Sequence, residues 1–234
     1  MDIETVDLGR MSYDRAYEVQ LEQHGRVLRA REAGDRLAGV LLSVEHDPVI
    51  TVSKRPGAAD HVLASEELLA RQGVSLAKTD RGGDVTYHGP GQLVVYPVFD
   101  LQRMRVRLHD HLRLLEQAVI DSIASYGVEG VRDADATGVW VERPGSHSAK
   151  LCAIGVRVRK WISMHGLALN VSPDLGHFGL IVPCGLHGRP VTSLAELTKK
   201  TPAFAGVRDR VVASVRAVYE APASAASEAV SRSG

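Results

Sequence analysis

Apolar residues recur at helical spacing in three long stretches of the chain. Most of the remainder shows strand-like alternation or short unbroken apolar runs. Ser12 is a capping residue followed by a stripe of Tyr13, Tyr17, Leu21 and Leu28, which predicts a helix to about Arg31 that Gly34 ends. Residues 37–44 read as a strand buried on both faces, and residues 49–52 as its continuation after a turn at Asp47-Pro48. Ser65 caps a short helix closed by Gly73, and residues 74–79 form a strand. Gln92 to Phe99 is apolar on both faces and belongs in a sheet interior. A helix from about Asp110 to Tyr126 turns Leu112, Leu115, Val119 and Ile123 inward and stops at Gly127. Strands follow at about 128–132, 137–142, 150–158 and 165–171. Thr192-Ser193 opens a short helix. Thr201 caps a last one, with Pro202 at its first position and Phe204, Val207, Val211, Val215 and Val218 on its apolar side. From Ala221 the chain is rich in Ala and Ser and has little to pack, so a disordered tail is expected over 221–234. Without repeats or an internal linker, residues 1–220 are expected to form a single domain.

Composition narrows the function classes. The 28 basic and 28 acidic side chains cancel, so no global field draws the chain to nucleic acid or to a membrane. Two cysteines are too few for a disulfide framework or a several-cysteine zinc site, and the histidines include no HExxH pattern. The acidic N-terminus lacks an apolar run, so no signal peptide is expected. No stretch is long enough to span a bilayer. A cytoplasmic location is expected, and free thiols suit it.

Three stretches carry candidate chemistry. In Pro183-Cys184-Gly185-Leu186 a thiol sits on a tight bend, either as a nucleophile or as a small buried hydrophobe. Residues 81–91, Arg-Gly-Gly-Asp-Val-Thr-Tyr-His-Gly-Pro-Gly, hold four glycines and a proline. Such a backbone bends sharply, either to bring main-chain amides to a ligand or as an ordinary hairpin. It lacks the GxxxxGK[ST] order of a phosphate loop. In 150–158, period two puts Lys150, Cys152, Ile154, Val156 and Val158 on one face. Lys150 at its edge is then either a partly desolvated proton acceptor or a strand-end lysine reaching for water. His165 reads as a hydrogen-bonded core histidine before a catalyst. Arg103, Arg105 and Arg107, and the Arg157-Val-Arg-Lys160 run, read as a solvated face or a docking patch for an acidic partner.

Taken together and in this order, RGGDVTYHGPGQL at 81–93, KLCAIGVRV at 150–158 with HGLALNV at 165–171, and IVPCGL with VTSL between 181 and 194 resemble the lipoyl(octanoyl) transferase family. The resemblance covers roughly residues 37–197. It implies an α+β fold like that of the biotin and lipoate ligases, a large mixed sheet with helices outside and a smaller sheet beside it. It implies transfer of an octanoyl group from acyl carrier protein to a lysine of lipoyl domains, such as those of the 2-oxoacid dehydrogenases and the glycine cleavage H protein. No ATP and no metal would take part, and the enzyme would be a monomer. By the same route Cys184 matches the nucleophile and Lys150 its partner base. Arg81, Gly82, Gly83, Asp84, Val85, Thr86, Tyr87 and His88, with Ala153, Ile154, Gly155, Gly166, Leu167 and Ala168, match the acyl-binding segments. Cys152 stands where the family has a small residue, and on the strand's shared face it too would be open to acylation or oxidation. The rivals are an ATP-dependent lipoate ligase on the same fold, a non-catalytic acyl-chain binder and a Cys/His hydrolase.

Overall fold

Three strands that are buried along nearly their whole length make the centre of the molecule: β2 (Leu37–His46), β6 (Gln92–Phe99) and β9 (Ile162–Asn170). The computed structural model describes residues 1–220 apart from Pro144, Ser146 and 183–188. The expected tail and the Cys184 bend lie outside the described residues. Period two explains why the central strands are apolar on both faces. Val40, Leu42, Val44, Val94, Tyr96 and Val98 turn to one side, where α1 (Tyr13–Ala33) packs with Ala16 and Val27. Leu41, Leu93, Val95 and Phe99 turn to the other, against α4 (Leu108–Ala124) and α6 (Phe204–Glu220). The six-stranded sheet runs β1-β2-β6-β9-β8-β7, with β1 (Asp2–Met11), β7 (Gly138–Val141) and β8 (Ala149–Arg159). Only its β1–β2 pair is parallel. A second sheet, β4-β3-β5, is built from β3 (Val49–Val52), β4 (Ser75–Lys78) and β5 (Val85–His88). It packs its own small core, including Ile50, Leu69 of α2 (Glu66–Arg71), Phe178 and Ile181. The short helices α3 (Leu101–Met104) and α5 (Leu194–Thr198) lie at strand ends, the latter capped by Ser193.

Several expectations need correction. Residues 49–52 do not continue β2 but cross into the small sheet, pairing with β4 and β5. The middle of the glycine-rich stretch, 85–88, is strand β5 rather than loop. Residues 128–132 contribute only a bridge at Val131 to Trp140. The last helix begins at Phe204, not at Pro202. Strand β1 was not expected, because its exposed face is charged. It is an edge strand, where charge discourages further pairing. The helix α1 keeps its Ser12 and Gly34 caps, but its inner face is Tyr13, Ala16, Gln20, His24, Val27 and Ala30, and Leu21 is exposed. Polar residues sit on that face because the β6–β9 ladder ends at Leu167, and His165, with φ of +57°, turns its N–H away from β6. The His165 N–H is satisfied by Gln20 Oε1 at 2.7 Å.

Candidate active site

The loop joining β4 to β5 is fastened to the large sheet, and that fastening makes the site. Asp80 accepts from Tyr17 Oη at 2.9 Å and from His165 Nε2 at 2.8 Å, and pairs with Arg157. Thr79 Oγ1 accepts from Tyr13 Oη at 2.7 Å. Arg81 turns its guanidinium back under the loop. It donates to the carbonyls of Thr51 (3.2 Å), Gly82 (3.0 Å) and Asp84 (3.0 Å) and so fixes the bend. Gly82 then donates its N–H to Val156 O on β8 at 2.9 Å. Glycine is required at this crossing, since a Cβ on Gly155 would lie 2.7 Å from Gly82 O.

Between that loop and strands β8 and β9 runs a narrow slot of about 50 Å³, room for roughly two waters. Gly82, Gly83, Ala153, Ile154, Gly155, Gly166, Leu167 and Ala168 line it, so the segments matched to acyl binding, at 81–88, 153–155 and 166–168, meet there. Gly155 and Gly166 are direct partners across the β8–β9 pair. A Cβ on Gly166 would stand 2.2 Å from Val95 O. The slot's polar end is made by Tyr13, Thr86, His88, Tyr96 and His165. His88 Nδ1 bonds Gln92 Oε1 at 2.7 Å, and behind it His46 Nε2 meets Tyr96 Oη at 2.7 Å. Burial pushes His88 down to about 3 and His46 down to about 4, so both rings are neutral. Burial, then the charges of Arg81 and Arg157, also lowers His165, against the pull of the Asp80 carboxylate; the direction follows burial. Val85 and Tyr87 alternate the other way, into the small-sheet core.

Past Gly82, Gly83, Ile154 and Gly155 the slot opens into a larger cleft of about 700 Å³. Leu108, Leu112, Val156 and Val158 give it apolar walls, while Arg55, His61, Asp84 and Lys150 give it polar ones. Buried Asp84 accepts from His61 Nδ1 at 2.9 Å. Lys150 is 7% exposed, and its backbone N–H donates to Pro190 O while its C=O accepts from Thr192 N–H, both at 2.9 Å. On the other flank of the 183–188 segment, Val182 N–H donates to His61 O at 2.8 Å. The residues that flank that segment are therefore tied to His61 and Lys150, two residues that line one cleft. Cys184 itself lies outside the described residues. Cys152, expected to be open to modification, is fully buried, and burial pushes its thiol up to about 12, which leaves it unreactive. Arg103 and Arg157 are not a free docking surface: the first donates to Leu37 O and the second pairs with Asp80. Arg105, Arg107, Arg159 and Lys160 are exposed. No local pattern marks Tyr13, Tyr96 or the Arg55–His61 wall as part of a site. Their place depends on how two sheets meet.

The lipoyl protein ligase A/B catalytic domain family matches residues 16–216. An octanoyltransferase of Chloroflexus aurantiacus is 45% identical over 213 residues, which is 91% of this chain and 92% of that protein. In fold, the chain superposes on a bi-partite lipoate protein ligase from Thermoplasma acidophilum with a TM-score of 0.65 at 16% identity, over 92% of this chain and 82% of that one. It superposes on the biotin protein ligase of Aquifex aeolicus with a TM-score of 0.50 at 11% identity, over 93% and 68%. A family model spanning most of the chain, and 45% identity to an octanoyltransferase over nine-tenths of both proteins, place this protein in the octanoyltransferase family.

Proposed function

We infer that Cys184 and Lys150 are the reacting pair of this octanoyltransferase, which moves an octanoyl group from octanoyl-acyl carrier protein to a lysine of lipoyl domains. Lipoyl domains of 2-oxoacid dehydrogenases and the glycine cleavage H protein are the proposed acceptors. In the resting pair the thiol proton sits on Lys150, giving thiolate and ammonium. The thiolate attacks the thioester carbonyl. The carrier's sulfur leaves and takes the proton from Lys150, so the acyl-enzyme stands beside a neutral amine. The acceptor lysine attacks as its free amine and passes a proton to Lys150. The Cys184 thiolate then leaves, and the starting pair is restored. Thioester exchange is close to even and amide formation from a thioester is downhill, so ATP is not needed. The acyl chain lies in the slot along Gly155 and Gly166. At about 50 Å³ the slot must widen to take eight carbons, and exposed Gly82 and Gly83 form the wall that can yield.

The observation that carries this reading is the tie between Lys150 and the chain that follows Cys184, through Pro190 and Thr192. The test is incubation with octanoyl-acyl carrier protein and unmodified lipoyl domain without ATP, read by intact mass. Octanoylation of the domain is expected, and Cys184→Ser and Lys150→Ala should each abolish it. An unmodified domain in the absence of ATP rejects the transferase mechanism. Undiminished transfer by Cys184→Ser removes that residue from it.

A further inference from the structure

Lys150 shares an aromatic ring with a second cation. Its Nζ lies 4.6 Å from the centroid of the Trp140 indole, and the Arg189 guanidinium carbon lies 3.9 Å from the same centroid. Trp140 faces Lys150 in the register of β7 against β8 and is 1% exposed. Its Nε1–H donates to Ala136 O at 2.9 Å, which fixes the ring's rotation. Arg189 is held in turn by Asp133 and by Ser148 Oγ at 3.0 Å. Asp133 offsets its charge, so a second cation at the ring does not meet an uncompensated first. Arg189 is also the first described residue after 183–188.

We propose that Trp140 is a positioning residue: its indole face seats the charged amine of Lys150, and through Arg189 it ties that seat to the chain that carries Cys184. An aromatic face attracts an ammonium and not a neutral amine. The ring therefore holds the Lys150 ammonium at one place on the cleft wall. This inference rests on the reading of Lys150 and Cys184 as a pair.

The test separates the two. Alkylation of Cys184 by iodoacetamide is followed against pH in the full-length native protein, with the labelled peptide identified by mass, for wild type, Trp140→Phe and Trp140→Leu. Trp140→Met replaces the last variant if it does not fold. In wild type the thiol should titrate well below the ordinary value of about 8.5. Trp140→Phe keeps an aromatic face and loses the Ala136 bond, and it should stay within about threefold of wild type in alkylation rate. Trp140→Leu should raise the apparent thiol pKa by about one unit, a tenfold loss of thiolate at a given pH. The acylation rate should fall to match. Equal shifts in Trp140→Phe and Trp140→Leu, or no shift in either, overturn the role of the ring while leaving the pair intact. An ordinary thiol pKa in wild type overturns the pair and this proposal with it.

Discussion

The slot and the cleft share a wall of Gly82, Gly83, Ile154 and Gly155, yet they treat ionisable groups in opposite ways. At the polar end of the slot burial wins. His88 and the His46 behind it are driven neutral, and Tyr96 is held protonated, its pKa raised well above the ordinary value. In the cleft, charged groups stand in pairs or on an aromatic face: Asp84 with His61, and Lys150 over Trp140. The difference suits acyl transfer. A region that holds hydrocarbon gains nothing from charge, which would only have to be desolvated. A region where bonds are made needs a group that can give and take a proton.

The sharpest way to stress this contrast is acid. An unfolded histidine titrates near 6.5, whereas folded His46 titrates at about 4 and His88 at about 3. The native state therefore binds fewer protons than the unfolded state between these values. Stability from these histidines is complete above pH 6.5 and is lost as pH falls towards 4. At pH 5 the loss is roughly 2 kcal/mol for each histidine. Urea denaturation at pH 7.5 and pH 5 should show a large fall in midpoint, made smaller by His46→Gln. A midpoint that does not move would mean that water reaches these rings and that the slot's end is not dry.

The next largest effects come from the shared wall. Gly166→Ala drives a methyl group to within 2.2 Å of Val95 O and 2.6 Å of Pro97 Cδ, in the middle of the sheet. Overpacking of this kind costs about 1–3 kcal/mol and should appear as a lower denaturation midpoint. Gly155→Ala instead meets Gly82 O at 2.7 Å, on a loop that is exposed and can shift. It should cost less stability than Gly166→Ala and more transfer, about tenfold in kcat/KM, since about 1.4 kcal/mol of misplacement is enough for that. The pair is measured by melting and by octanoyl transfer side by side. If both variants lose stability and activity in the same proportion, the slot is not a separate acyl site.

Where the sequence could be read, and where it could not, follows from the kind of information each feature carries. The central strands announce themselves because a run such as 92–99 is apolar on both faces only when both are covered. The caps at Ser12, Gly34 and Ser65 are local chemistry and needed no tertiary knowledge. The inner face of α1 was misjudged because Gln20 and His24 face inward to serve backbone groups of His165 and Arg159, at 2.7 and 3.1 Å. No periodicity of apolar residues reveals that. Residues 49–52 have strand spacing in either sheet, and only pairing decides which one. The slot segments were legible as a family pattern. Trp140 was not, because a tryptophan in a short strand looks like any other core residue until Lys150 and Arg189 are seen above it.

The smallest effect is expected at the residue that looked most like a rival. Cys152 and Lys150 are two positions apart on β8, but a shift in register makes their partners the consecutive residues Val139 and Trp140, which face opposite sides of β7. Lys150 reaches the cleft, while Cys152 packs in the main core beside Leu151, Val139 and Leu169, fully buried. With its thiol pushed up to about 12 it offers almost no thiolate at neutral pH, and no path for a reagent to reach it. Cys152→Ala removes one sulfur from a packed site and should cost about 1 kcal/mol of stability. Octanoyl transfer should stay within twofold of wild type. In native wild-type protein, iodoacetamide should add one label per chain, and Cys152→Ala should take the same label at the same rate. Labelling of Cys152 under native conditions would show the core opening beside the slot on the timescale of the reaction, and the division between a silent region and a reactive one would then fail at its closest point.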